Sequence, residues 1–245
     1  MSEKLANYVS GKWILGTGEG VALFDPVLGN ELVRVDASGI DLAAAFEFSR
    51  ETGGKALREK TYQERALMLQ ACLDKLQANK NLYYEISTAN SGTVKNDSAV
   101  DVEGSLFTLG FYAKLGQTLG DRKFLIDGEL ARLAKDPLFQ SQHILTPTTG
   151  VALLINAFNF PAWGLWEKAA PALLSGVPVI IKPGSSTAWL THQMVKDIID
   201  ADILPKGALS IICGSSAGLL DQLQAFDVIS FTGSADTAKT IRSHR

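Results

Sequence analysis

From Gly150 onward, four short apolar runs, at residues 151–155, 177–181, 209–213 and 227–231, each lead into a helical pattern. Strands this short and this apolar are buried on both faces, and intervening helices join them in parallel. The alternation therefore predicts a doubly wound, Rossmann-like α/β sheet, with any ligand seated at the carboxyl ends of its strands. Pro178 is the one discordant residue, since proline pushes a strand toward an edge or toward its first positions.

The preceding residues read differently. Residues 13–15, 21–24 and 31–35 form a short β region broken by Asp25-Pro26 and Gly29-Asn30. Gly16-Thr17-Gly18-Glu19-Gly20 imitates a nucleotide fingerprint, but Val21 replaces the last glycine and no helix follows, so it reads as a turn. A helical block comes next. Asp41 precedes a run over residues 42–52, Thr61 and Glu64 have capping-box spacing, and Ser186 or Thr187 is placed to cap a helix carrying Val195, Ile198 and Ile199. Leu69, Cys72, Leu73 and Leu76 share one helical face, followed by Leu82 with Ile86, then Val102, Leu106, Leu109 and Ala113. In the stretch 119–149, Asp127-Gly128 is expected to turn a hairpin, the whole forming an arm suited to contact between subunits.

Composition removes several classes of function. With 46% hydrophobic and 20% charged residues the chain is neither disordered nor fibrous. Twenty-three basic against 26 acidic residues give a net charge of −3, which argues against nucleic acid as a partner. No run is apolar enough for a membrane span, and the first residues lack a signal-peptide core, so a cytoplasmic protein is expected. Cys72, Cys213, His143, His192 and His244 show no metal-ligand spacing, and no metal is expected. Both cysteines fall on apolar stretches and read as buried thiols.

Function then narrows to four strand-end loops. In Asn156-Ala157-Phe158-Asn159-Phe160-Pro161, Asn159 either faces a developing oxyanion or caps the following helix. Lys182-Pro183-Gly184-Ser185-Ser186-Thr187 offers an ammonium, three hydroxyls and a helix start, but no carboxylate. A carboxylate at this place binds ribose hydroxyls, whereas a cation with free amides attracts a ribose phosphate, so NADP is expected and NAD less so. Gly214 to Gly218 permits close backbone approach. Phe231-Thr232-Gly233-Ser234 places amides and a hydroxyl at a helix start, suited to a pyrophosphate.

Asn159-Phe160-Pro161, Lys182-Pro183-Gly184 and Phe231-Thr232-Gly233-Ser234, in this order and spacing, resemble the aldehyde dehydrogenase superfamily, and the resemblance covers nearly the whole chain. Residues 155–161, 211–216 and 231–235 are similar to a CoA-linked branch serving aromatic-compound degradation, and residues 88–92 and 97–101 favour its benzoyl-CoA side. The resemblance implies that Asn159 donates to a thiohemiacetal oxyanion, that Lys182 holds the adenosine ribose, and that Gly233 and Ser234 meet the cofactor phosphates. Ile155, Ala157, Phe158, Gly184, Gly214, Gly218, Phe231, Thr232 and Thr237 complete the implied cofactor site. Ser185 stands where the family carries a carboxylate, in agreement with NADP.

The implied organisation is an N-terminal part of the cofactor domain at 1–118, an oligomerisation arm at 119–149 and a Rossmann-like core at 150–245. The implied assembly is a homodimer. The implied substrate is a small aldehyde, CoA-linked, oxidised to its acid. The family's nucleophilic cysteine and general-base glutamate follow the Phe-Thr-Gly-Ser motif and are absent here, so an N-terminal portion of a longer enzyme, without turnover of its own, is expected. The competing expectation is a nucleotide-binding or structural module with no catalytic role.

Overall fold

The computed structural model describes residues 2–244. It opens with β1 (Glu3–Leu5), β2 (Asn7–Val9), β3 (Lys12–Ile14), β4 (Val21–Phe24) and β5 (Glu31–Val35). The glycines between β3 and β4 close onto Asp36, whose carboxylate accepts from the Gly18 amide at 2.7 Å, so they form a turn as expected.

Asp41 caps α1 (Leu42–Phe48) by accepting from the Ala44 amide. The helical run expected to residue 52 continues instead as a π-helical segment, Ser49–Gly54, and then as α2 (Lys55–Arg58). Glu64 and Thr61 form the capping box of α3 (Tyr62–Ala78), with Thr61 N–H donating to Glu64 Oε2 at 2.7 Å and Glu64 N–H to Thr61 Oγ1 at 3.2 Å. α4 (Lys80–Ser91) buries Tyr83 and Ile86, whereas Leu82, expected on its inner face, is exposed. α5 (Lys95–Leu119) buries Val102, Leu106, Leu109 and Ala113, the stripe read from the sequence.

Among the described residues, β6 (Leu125–Arg132) and β7 (Gln140–Leu145) pair only with each other. Asp127-Gly128 does not turn this hairpin. Asp127 pairs with His143 inside the ladder, and Gly128, at φ +72°, sits in a register shift between Asp127 and Ala131. Reversal occurs over 133–139, where Asp136 accepts from the Leu138 amide at 2.8 Å and Leu133 N–H meets the Phe139 carbonyl at 3.0 Å. An aspartate before proline holds the turn, and the glycine accommodates a bulge.

The remaining elements are β8 (Ala152–Ile155), α6 (Trp163–Leu174), β9 (Val179–Lys182), α7 (Ala188–Asp200), β10 (Leu209–Ile211), β11 (Val228–Phe231) and α8 (Ala235–Ser243). The main sheet runs β11-β8-β9-β10-β2-β3, parallel through its first four strands, with β2 antiparallel to β10 and β3 antiparallel to β2. Pro178 precedes central β9 rather than weakening it. Its missing N–H lies outside the ladder, while its carbonyl accepts from Ala152 at 2.8 Å. β10 departs from the expected alternation, because a 3-10 turn at Leu220–Gln222 follows it instead of an α-helix.

Side chains alternate through the sheet. Ala152, Leu154, Val179, Ile181, Leu209, Ile211 and Cys213 join the larger core under α3, α5, α6 and α7. Val151, Leu153, Ile180 and Ile212 join a smaller one with Phe46 of α1. No helix among the described residues is long and apolar enough to cross a membrane, and no group of His, Cys, Asp or Glu there has the arrangement of a metal site. The chain climbs from β8 through β9 to β10, then returns to place β11 on the other side of β8. That reversal puts the loops after β8 and β11 side by side, the position where such sheets hold ligands.

His192, on α7, reaches the Ala6 carbonyl at 2.9 Å, and burial pushes its pKa down to about 4. The unfolded chain then takes up this proton first as pH falls from about 6.5, so stability is lost between there and about 4. Wild-type protein should lose about 2 kcal/mol by about pH 5 from this group alone. His192→Gln should therefore show a smaller difference between denaturant unfolding at about pH 7.5 and about pH 5. An unchanged difference would remove His192 from the acid limb.

Candidate functional site

The loop after β8 is fixed at both ends by bonds from elsewhere in the chain. Asn156 N–H meets the Lys182 carbonyl at 3.0 Å. The hydroxyl of Thr187 donates to the Phe158 carbonyl at 2.6 Å, and that of Thr191 to the Pro161 carbonyl at 2.7 Å. The amides of Ala162 and Trp163, at the start of α6, donate to the carboxylate of Asp101 at 3.1 and 2.7 Å. Asn159 therefore does not cap α6; Asp101, reaching over from α5, does. Burial lifts the Asp101 carboxyl to about 6, with the two amide bonds pulling the other way.

Asn159 is exposed and lines a cavity of about 300 Å³ with Ala157, Phe160, Trp163, Lys168 and Thr232. Lys168 was not singled out by sequence reasoning. Its Nζ donates to Asn156 Oδ1 at 2.9 Å and to the Gly164 carbonyl at 3.4 Å, and pairs with Glu167 at 3.3 Å. Burial lowers its pKa, opposed by Glu167. Glu167-Lys168 lies within an apolar helical run, and nothing local marks the lysine as facing a cavity.

The loop after β9 differs from expectation in three respects. First, Lys182 is only 7% exposed. Its Nζ donates to the Pro183 carbonyl at 2.7 Å and to Ser185 Oγ at 3.3 Å, and burial lowers its pKa. The ammonium thus stands behind Ser185 instead of forming an open cationic rim.

Second, the cleft that Ser185 faces, about 510 Å³ and shared with Ser38, Gly214 and Ser215, contains a carboxylate from a distant segment, Asp36. Burial pulls this carboxyl upward, but bonds from Ser38 and Gly18 prevail and hold it below the usual range. Its oxygens accept from Ser38 N–H at 3.0 Å, Ser38 Oγ at 2.7 Å, Gly18 N–H at 2.7 Å and Lys4 Nζ at 3.5 Å.

Third, neither Ser186 nor Thr187 caps α7. Residues Ser185–Thr187 form a 3-10 turn, and Asn90 reaches in from α4. Asn90 Nδ2 donates to the Ser186 carbonyl at 3.0 Å, while its Oδ1 accepts from Trp189 N–H at 3.4 Å. A remote carboxamide has replaced the local hydroxyl, so part of the expected anion seat is already occupied.

Gly184 has a steric reason to be glycine. A Cβ there would lie 2.8 Å from the Phe158 backbone, so the first two strand-end loops touch main chain to main chain. In the third loop, Cys213 is fully buried, and burial pushes its pKa to about 12 against the opposing charge of Lys182. Cys72 is likewise buried, with its pKa raised by desolvation. Gly214 packs against the Ala37 backbone and Gly218 adopts φ +80°.

In the fourth loop the Ser234 hydroxyl accepts from Thr237 N–H at 3.2 Å and lies 3.0 Å from Thr237 Oγ1. That hydroxyl is therefore engaged in capping α8. The Phe231 ring covers Gly233, where a Cβ would lie 2.3 Å from it, so a side chain there would require the ring to move.

Three of the expected residues meet at the end of the sheet, and the others divide between two cavities or line neither. In register, Phe231 pairs with Ile155, and Ile155 with Lys182, forming one row across the carboxyl end of the sheet. Asn159, Ala157 and Thr232 line one cavity, and Ser185 and Gly214 line a second. Phe158 is exposed after β8 and Thr237 is exposed on α8, and neither lines either cavity.

A sequence profile described as the aldehyde dehydrogenase family matches residues 13–245. The chain is 56% identical over 241 residues to the 3,4-dehydroadipyl-CoA semialdehyde dehydrogenase of Aromatoleum evansii, covering 98% of this chain and 47% of that protein. It is 30% identical to the D-glyceraldehyde dehydrogenase (NADP(+)) of Picrophilus torridus, covering 96% of this chain and 46% of the relative. Among solved structures, lactaldehyde dehydrogenase from Escherichia coli superposes with a TM-score of 0.86 at 18% identity, over 99% of this chain and 50% of that one. A 3,6-anhydro-L-galactose dehydrogenase superposes at 0.84 with 22% identity, over 98% and 49%. These two structures bear on the fold alone. The chain spans about half the length of the curated relatives it matches.

Proposed function

The chain belongs to the aldehyde dehydrogenase family, and from that premise we propose that it forms the cofactor-binding part of an enzyme that oxidises a CoA-linked semialdehyde to its carboxylic acid with reduction of NADP. The substrate class follows the name of the 56% identical relative. The choice of NADP is carried by one observation. Ser185, a hydroxyl and not a carboxylate, stands between the buried Lys182 ammonium and the cleft. Asp36, the carboxylate in that cleft, is already saturated by four donors.

The residues present suit a dinucleotide. Gly184 keeps the loop surface flat where any side chain would strike the Phe158 backbone, and hydroxyls and glycines border both cavities. In this proposal Ser185, backed by Lys182, holds the phosphate-bearing ribose. The row Phe231, Ile155 and Lys182 forms the floor, and Thr232, Gly233, Ser234 and Thr237 border the diphosphate. Ala157, Phe158, Gly214 and Gly218 complete the walls. The bound nucleotide supplies the hydride acceptor.

Asn159 donates Nδ2–H to the carbonyl oxygen as negative charge collects there, and as a neutral amide it needs no change of protonation to do so. Phe160 and Trp163 give that cavity an apolar wall, which strengthens the bond by excluding water. The attacking thiolate comes from outside these residues, since Cys72 and Cys213 are both buried with their thiol pKa raised. The same burial favours the second reading, a nucleotide-binding module without turnover of its own.

We place residues 1–118 with the cofactor domain, 150–245 as its core, and 119–149 as an arm that joins a homodimer. Leu130, Leu133, Leu138 and Phe139 are exposed on or beside that hairpin and suit burial against another subunit.

Parallel titration with NADP and NAD tests the cofactor assignment, and tighter NADP binding is expected. Ser185→Glu should weaken NADP about tenfold, or ~1.4 kcal/mol, by adding a negative charge beside the phosphate. Equal affinity in the variant, or tighter NAD binding in the wild type, would defeat the assignment.

A further inference from the structure

Asp101 is a buried carboxylate, 4% exposed, with no salt-bridge partner among the described residues. A charge is costly to bury unless it is well bonded, and this one receives only the Ala162 and Trp163 amides, from a segment some sixty residues distant. Those amides begin α6, where the exposed N–H groups favour an anion. No local residue takes that role: α6 has Ala162 at its N-cap position, with no side-chain cap bond.

The contact is not isolated. One face of α5 addresses Trp163 at three levels: Asp101 takes its amide, Gly104 leaves room for its ring at a distance where a Cβ would come to 2.8 Å, and Thr108 accepts from Nε1 at 3.1 Å. Trp163 in turn meets the Phe160 ring edge to face, with centroids 6.0 Å apart. Gly164 N–H closes the turn onto the Phe160 carbonyl at 2.9 Å. Asn159 thus projects from a turn whose downstream end is locked to α5, and Asp101 and Asn159 both line a small cavity of about 160 Å³.

We propose that Asp101 is a positioning residue for the reaction: from α5 it clamps the first two amides of α6 and so holds Asn159 where the oxyanion forms. The proposal rests on the reading of Asn159 as the oxyanion donor. A carboxamide at 101 accepts one of the two amides with its oxygen, but turns an NH2 toward the other, so the clamp opens on one side while its size is kept.

The test is a double-mutant cycle in the full-length enzyme. D101N should lower kcat between about tenfold and about a hundredfold, the scale of a displacement of about 1 Å, with KM for NADP within about twofold of wild type. N159A should lower kcat about a hundred- to a thousandfold. If Asp101 acts through Asn159, D101N/N159A should match N159A within about twofold, because no positioned amide remains to disturb. Losses that multiply in the double variant, or a wild-type kcat in D101N, overturn the Asp101 proposal alone. A wild-type kcat in N159A removes the Asn159 reading and this proposal with it. Should D101N not fold, D101E, which keeps the charge and shifts it by one methylene, takes its place in the cycle. If neither variant folds, Asp101 is a folding residue and the proposal falls.

Discussion

Asn159→Ala is expected to lower kcat about a hundred- to a thousandfold in the full-length enzyme, roughly 2.7–4 kcal/mol of transition-state stabilisation. The side chain is exposed on the wall of its cavity and supports no helix cap, since Asp101 satisfies the first amides of α6. Its removal should therefore leave thermal stability within about 0.5 kcal/mol, as for a surface substitution away from structural features. Nucleotide affinity should also hold, because the Ser185 cleft is a separate cavity. Activity loss together with a comparable loss of stability would mean that Asn159 supports the loop and does not act on the substrate.

Asp227→Ala should act in the opposite sense, costing about 3–5 kcal/mol of stability with no direct effect on chemistry. Asp227 has a side chain 1% exposed and accepts from Arg50 Nε at 3.1 Å, from Arg50 Nη2, and from the amides of Val151 and Gln224, both at 2.8 Å. It joins the starts of β8 and β11 to the π-helical segment, and its loss leaves the nearly buried Arg50 guanidinium without its anion. Burial raises the carboxyl pKa, but the Arg50 and amide bonds outweigh it and hold the value below the ordinary one. Its contribution is thus complete above the usual carboxylate range and fades as pH falls through the lowered folded value. Chemical denaturation across that range should show the gap between variant and wild type closing in acid. A gap that persists there would place the cost in packing and not in charge.

What the sequence made legible was local. The capping box of Thr61 and Glu64 and the cap of Asp41 lie within three residues of their partners, and both form. The apolar runs of β8, β9 and β10 announced a parallel sheet, and their alternate side chains fall into the two cores; β11 pairs in the same sheet but, against expectation, stays partly exposed, Val228 at 48%. Of the residues expected at the site, Asn159, Ser185 and Thr232 line cavities at the strand ends. Bonds made across the fold were not legible. Asp101 caps α6, Asn90 takes the start of α7, and Asp36 enters the Ser185 cleft, each from a segment whose local pattern carries no sign of its target. Lys182 illustrates the same limit. Its place at a strand end was plain, but its burial depends on what packs over it. Gly184 is a middle case: the loop position shows in the sequence, but the Phe158 main chain that requires a glycine there does not.

The antiparallel pairing of Tyr8 with Ile211 carries a consequence for assembly during translation. Asn7 has its carboxamide oxygen bonded to the Cys213 amide at 2.7 Å and its NH2 to the Asp36 carbonyl at 2.9 Å. β2 can pair with β3 as soon as both are made, but its other edge and the Asn7 carboxamide oxygen wait for β10 and Cys213, the latter 206 residues further along the chain. Closing so long a contour is slow. Until it closes, β10 presents an open flank to neighbouring chains, so β2 guards that edge against self-association.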